Sequence, residues 1–199
     1  MAKIIVSEFL TLDGVMQAPG DPNEDRSGGF EHGGWQLAYF DDVFGQTMME
    51  AFAATGGLLL GRRTYETFAA HWPNQPAEDP LAGMMNGLAK YVVSSTLTEP
   101  LAWQNSSLIT DDVAGDVGRL REQPGKDIQV IGSGELVQTL VQHDLVDEYR
   151  LMIHPLVLGT GKRLFREGIL PTRLRLIDTK PTTTGVLILT YEPAERGSA

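Results

Sequence analysis

Gly61-Arg62-Arg63-Thr64 follows the apolar run Leu58-Leu59-Leu60, and Gly132-Ser133-Gly134 follows the strand-like stretch from Ile128 to Ile131. In both places a strand feeds a helix through glycine. Glycine permits the tight turn, and the turn leaves backbone N–H groups exposed at the positive end of the helix dipole, where an anion is welcome. Two such turns in one domain could clasp a pyrophosphate from two sides. Arg62 and Arg63 add guanidinium forks that match phosphate oxygens. Ser94-Ser95-Thr96 closes the strand that begins at Lys90, and its hydroxyls could share a phosphate. All these residues fall at the carboxyl ends of strands, where open α/β sheets bind ligands. A plainer account competes with each signal: tight strand-to-helix turns need glycine anyway, and an arginine pair can be a solvated helix face.

Two standard fingerprints are incomplete. Gly132-x-Gly134-x-x-Val137 lacks the third glycine of the dinucleotide motif, which disfavours a standard Rossmann domain. Gly159-Thr160-Gly161-Lys162-Arg163 resembles a phosphate loop superficially, but Leu156 stands where a glycine is required and Arg163 where Ser or Thr is required. His32, His71, His143 and His154 show no metal-ligand spacing, and no metal site is read. No Gly-x-Ser-x-Gly elbow supports a serine hydrolase. Among carboxylates, Asp13 sits in the turn Thr11-Leu12-Asp13-Gly14, and Asp41 opens a helix pattern. A turn residue and a solvated helix start are the ordinary roles for such positions.

The elements that must position these groups follow from the apolar pattern. Lys3 to Phe9 is β-branched and apolar, a strand. From Gly14 to Gly34 the chain holds eight glycines or prolines with no apolar period, and a loop this long is usually functional or disordered. It is expected to be a mobile active-site loop. Phe40 to Thr55 reads as a helix, with Phe40, Phe44, Met48 and Ala51 inside a stripe about 80° wide. Asp41 lies on the edge of that stripe and could approach a buried site, whereas Asp42 lies opposite. Helices are also expected over Arg62 to Ala70, Leu81 to Leu88, from an Asp111 or Asp112 cap to about Glu122, and Glu135 to His143. Further strands are expected at Leu58–Leu60, Lys90–Ser95, Ser106–Thr110, Asp127–Ile131 and Val146–His154, and in a hairpin of Arg173–Thr179 with Val186–Glu192. The alternation implies one α/β domain, a mixed and mostly parallel sheet flanked by helices, with a C-terminal antiparallel hairpin. The domain is read as residues 1–193, with a frayed tail over 194–199.

Composition bounds the function. The 199 residues carry 16 Lys+Arg against 26 Asp+Glu, a net charge of −10, which argues against nucleic acid or an anionic membrane as partner. It leaves room for a locally basic pocket. With no cysteine there is no disulfide, zinc-thiolate site or thiol nucleophile, which fits a cytoplasmic setting. The opening MAKIIVSEFL is too short for a signal-peptide core and reads as the first strand.

These segments together resemble the stand-alone members of the riboflavin-biosynthesis reductase-domain family, which share the dihydrofolate reductase fold. Thr11-Leu12-Asp13-Gly14-Val15 is similar to the family's entry to the active-site loop. Gly61-Arg62-Arg63-Thr64-Tyr65-Glu66 resembles the Gly-Arg-x-Thr turn of dihydrofolate reductases, and Val93-Ser94-Ser95 the strand end that holds the adenosine phosphate. Gly132-Ser133-Gly134-Glu135-Leu136 resembles the second phosphate-binding turn. The stretches Leu145 to Tyr149 and Pro155 to Phe165 resemble the stand-alone members most specifically. The resemblance implies an NADPH-dependent reductase of a small heterocycle, 5-amino-6-(5-phosphoribosylamino)uracil reductase-like. The nicotinamide would lie near Val6, Asp13 and Gly14. Gly61, Arg62, Arg63 and Thr64 would hold the adenosine half and pyrophosphate, with Ser94 and Ser95 near the 2′-phosphate. Gly132, Ser133, Gly134, Glu135 and Leu136 would close over the pyrophosphate. Asp13 would orient substrate or cofactor amide, with Asp41 a candidate for proton relay. Alternatives are a dihydrofolate reductase and a non-catalytic nucleotide-binding module. A homodimer is compatible with either.

Overall fold

In a computed structural model, which describes residues 1–194, strand β1 (Ile4–Thr11) runs through the middle of an eight-stranded sheet. It pairs in parallel with β5 (Asp127–Val130) on one side and β6 (Glu148–His154) on the other. Beyond β5 lie β2 (Thr55–Gly61), β3 (Ala89–Val93) and β4 (Ser106–Ile109), all parallel. Beyond β6 lie β8 (Leu187–Pro193), antiparallel to β6, and β7 (Leu174–Pro181), antiparallel to β8, so the order is β4-β3-β2-β5-β1-β6-β8-β7. The expected order of strands and helices and the C-terminal antiparallel hairpin are both present.

Burial of both sheet faces explains the unbroken apolar runs. Leu59 packs with Ile4, Val6, Val130, Val137 and Leu140 under α4 (Val113–Glu122) and α5 (Gly134–Gln142). Leu58 and Leu60 turn to the other face, with Phe52, Tyr65 and Met85 from α1 (Asp42–Ala54), α2 (Arg62–His71) and α3 (Pro80–Gly87). Helix α1 departs from expectation at its start. Asp41 is extended and caps the helix, accepting from Phe44 N at 2.7 Å. Phe40 therefore falls outside the period and is 60% exposed, and the buried side is carried by Phe44 and Phe52 instead. Asp112, the second of the two expected cap residues, caps α4 through Gly115 N at 2.9 Å.

The long glycine- and proline-rich loop is not bare. Val15, Ala18, Phe30 and Trp35 form a small core of their own beside Phe9. Trp35 Nε1 donates to Gln17 O at 2.8 Å, and Lys162 Nζ reaches back from the segment after β6 to Ser27 Oγ at 2.7 Å. Two short 3-10 turns, Ser27–Gly29 and Leu37–Tyr39, stand in or after it. In the expected tail, Ala194 N donates to Arg173 O at 2.8 Å, and residues 195–199 lie outside the described residues. Among the described residues no helix is long and apolar enough to cross a membrane.

Candidate functional site

The neighbouring strands β2 and β5 end side by side, and each feeds a helix directly. Gly61 is the N-cap of α2 and Ser133 the N-cap of α5. The two turns touch: a side chain on Gly61 would overlap the Ser133 hydroxyl, and one on Gly132 would overlap Thr64 Oγ1. Gly132 also has φ of +52°, which favours glycine independently. Neither α2 nor α5 has a side-chain cap, whereas α1, α3 and α4 are capped by Asp41, Asp79 and Asp112. Three helices are thus Asp-capped, and two have first N–H groups that no side-chain cap satisfies. A helix start without a capping oxygen leaves N–H donors that a ligand oxygen can satisfy.

Around this cleft the other expected residues take defined places. Arg62 Nη1 pairs with Glu66 at 3.0 Å, one turn along α2, with both side chains substantially exposed. Such a pair is weak and can be exchanged for a ligand. Arg63 is exposed at the same helix start. Glu135 pairs with Arg166 at 2.6 Å, which is the main reason its carboxyl lies below the ordinary range, and the charges of Lys162 and Arg63 add to the effect. Arg63 on α2 and Glu135 on α5 therefore share one electrostatic neighbourhood. Leu136 is buried in the core, so its backbone N–H is the group it can offer. Ser94 Oγ accepts from Thr96 N at 3.1 Å and Leu97 N at 3.0 Å, a turn of its own making, while Ser95 is exposed.

The two expected catalytic carboxylates are differently employed. Asp13 accepts from Thr11 Oγ1 at 2.6 Å, Gly159 N at 2.9 Å and Leu158 N at 3.2 Å. The Thr11 hydroxyl foremost, then the two N–H groups, hold its carboxyl down to about 2. Asp41 accepts from Thr183 N and Oγ1, both at 2.6 Å, from Thr184 N at 3.2 Å and from Phe44 N. These bonds, Thr183's first, lower its carboxyl as well. Asp41, expected as a candidate for proton relay, has a structural use of its own. It fastens the start of α1 to the β7–β8 turn, and these donors favour its charged form.

Glu8 and His154 are buried titratable groups to which the sequence reading gave no role in the site. Glu8, on β1, is 6% exposed, and its Oε1 accepts from Gly132 N at 2.7 Å. Burial pushes its carboxyl up to about 8, against the opposing pull of the Gly132 bond, with a smaller push from Glu24. One signal was present: Glu8 shares the period-2 phase of Ile4, Val6 and Leu10, so strand alternation alone places an acid in the core. His154, at the end of β6, is fully buried, with Nδ1 against Met152 O at 2.9 Å and Leu10 O at 3.2 Å. Rings of Trp35, Tyr39, Phe9 and Phe44 surround it at 5.0–6.0 Å, and burial lowers its pKa. No sequence spacing signals this cluster, because its members come from four separate segments.

Comparison with known proteins bears on the whole chain. The RibD C-terminal domain matches residues 2–188. The uncharacterized protein YyaP of Bacillus subtilis (strain 168) is 34% identical over 139 residues, 67% of this chain and 72% of that protein. The crystal structure of a pyrimidine reductase-like protein from Corynebacterium diphtheriae superposes with a TM-score of 0.66 at 13% identity, covering 98% of this chain and 92% of the other. A diaminohydroxyphosphoribosylaminopyrimidine deaminase/5-amino-6-(5-phosphoribosylamino)uracil reductase from Thermotoga maritima superposes with a TM-score of 0.63 at 12% identity, covering 97% of this chain and 57% of the other. The structural likenesses agree with the mixed sheet described above, and the match over residues 2–188 places the chain in the RibD C-terminal domain family.

Proposed function

We propose that the protein is an NADPH-dependent reductase of a small heterocyclic substrate, of the 5-amino-6-(5-phosphoribosylamino)uracil reductase type. The observation that carries this reading is the contact between the Gly61 and Gly132-Ser133 turns, which sets two uncapped helix N-termini side by side at the ends of β2 and β5. The close fit of bare glycines against Ser133 and Thr64 suits a cradle that lets a pyrophosphate approach backbone N–H groups. In this reading Gly61, Arg62 and Thr64 bind the adenosine half and pyrophosphate. Gly132, Ser133, Gly134, Glu135 and Leu136 cover it from the other side through their backbone. Arg63, with Ser94 and Ser95 at the end of β3, meets the 2′-phosphate. Gly14, at φ +80° in the turn after β1, leaves the nicotinamide end room beside Val6 and Asp13. When bound, the cofactor supplies a hydride from C4 to an electrophilic C=N or C=O carbon. Membership of the RibD C-terminal family and the activity named for the Thermotoga maritima protein support the substrate class.

A second reading, a dinucleotide-binding module without turnover, is favoured by the internal saturation of Asp13 and Asp41. A dihydrofolate reductase gains no such support, since Asp42 and Glu50 of α1 are both exposed. NADPH titration followed by NADPH oxidation with pterins, dihydrofolate and ribosylaminopyrimidines separates the three. The reductase reading expects binding, with oxidation by a ribosylaminopyrimidine. Binding without oxidation selects the module, and no binding of NADPH removes both.

A further inference from the structure

Among the described residues, Glu8 is a buried acid with no salt bridge to a cation. Its hydrogen-bond partner is the backbone N–H of Gly132, the residue that begins the turn into α5. Basic side chains of the segments around the cleft have partners of their own. Arg62 is paired with Glu66, Lys162 with Asp25, and Arg163 lies on Asp13. On α5, Glu135 is paired with Arg166, and from the loop the one charge that acts on Glu8 is the like charge of Glu24. Glu24 is half-buried and accepts from Gly20 N at 2.8 Å. Among the described residues, then, an acid with no counter-charge stands directly behind the turn into α5.

We infer that Glu8 is a positioning residue of the anion cleft, acting through Gly132: as a neutral acid it holds the turn for a phosphate-bearing ligand, and as a carboxylate it opposes that ligand, so that binding is coupled to one proton. The inference rests on the dinucleotide reading given above. Ligand and carboxylate carry the same sign, and Glu8 is buried, so their repulsion is weakly screened. Burial, which pushes the Glu8 carboxyl up to about 8, places the transition just above neutrality. Where only the protonated form binds, affinity falls tenfold per pH unit above that pKa.

The test is the dissociation constant of NADPH, and separately of inorganic pyrophosphate, between pH 6 and pH 10 for three full-length proteins. In wild type the constant is flat near pH 6 and rises about tenfold per unit above about pH 8. Glu8→Gln keeps an acceptor for Gly132 N but cannot ionise, and it binds at pH 6 as wild type does, with a flat profile. Glu24→Gln removes the like charge, so the break moves to lower pH. That second variant keeps the inference testable if Glu8→Gln fails to fold. The same pH dependence in wild type and Glu8→Gln, or an unmoved break in Glu24→Gln, overturns the inference. Proton-coupled pyrophosphate binding without NADPH binding supports it while removing the dinucleotide reading. No binding of either probe at pH 6 overturns both.

Discussion

Asp13 receives the Thr11 hydroxyl and the N–H groups of Leu158 and Gly159, and its carboxyl is held down to about 2. Its contribution to stability is present above the ordinary carboxylate value near 3.8 and is lost as pH falls toward 2. Asp13→Asn keeps one acceptor oxygen but loses the charge, and should cost about 1–3 kcal/mol in urea unfolding at pH 7. Glu8 behaves in the opposite sense. Its folded pKa, about 8, lies above the ordinary 4.5, so its contribution is present below 4.5 and is lost as pH rises through 8. His154 works on the acid side, because burial favours its neutral ring and stability falls as pH drops below the ordinary histidine value near 6.5. Glu8→Gln should therefore remove the fall in stability, read as melting temperature, that Glu8 imposes on the wild type between about pH 5 and pH 8, an effect of a few kcal/mol at the shift concerned. Equal falls in the two proteins would mean that Glu8 is already ionised in the fold. The serine pair separates cleanly: Ser94→Ala should cost about 1 kcal/mol through its lost turn bonds, whereas Ser95→Ala should leave stability unchanged and weaken NADPH.

At the scale of elements, glycines divide into those that permit contact and those that merely occupy a helix. Gly61→Ala and Gly132→Ala each force a methyl group into the facing turn, at Ser133 and Thr64 respectively. Overpacking of this kind costs about 1–3 kcal/mol, and both variants should lose NADPH affinity by tenfold or more. Gly118→Ala, inside α4 with open space around it, is the control and should stabilise by about 0.5–1 kcal/mol without touching affinity. Much of this layer was legible in the chain. Leu58-Leu59-Leu60 announced a strand covered on both faces, and the Gly-containing turns after it and after Ile131 announced the cleft. The start of α1 was misread because Phe40 fits the helical stripe, and only the extended backbone of Asp41 excludes it. The order inside the loop was hidden for another reason. Trp35, Gln17 and Lys162 hold it by side chain to backbone bonds across 18 and 145 residues, which no local period reveals. Glu8 could have been found from strand phase, but its partner Gly132 lies 124 residues away.

For the whole molecule, a net charge of −10 sets the background against which an anionic ligand binds. Attraction must then be local, from helix starts, exposed arginines and a neutral Glu8. The two cofactors differ only by the 2′-phosphate, so Arg62→Ala combined with Arg63→Ala should weaken NADPH more than NADH, by about the tenfold to hundredfold that a charge-assisted contact to that phosphate is worth. Salt should erode the wild-type preference for NADPH and act less on the double variant, as calorimetric titration of both proteins with both cofactors would show. The central claim is that the paired starts of α2 and α5 form the dinucleotide phosphate site. Its most direct test is NADPH titration of the wild-type protein followed by backbone amide chemical shifts. The account predicts that the largest saturable changes fall on the N–H groups of Arg62, Arg63, Thr64, Gly134, Glu135 and Leu136 together. Saturable binding that leaves these amides unmoved and shifts residues elsewhere would contradict it.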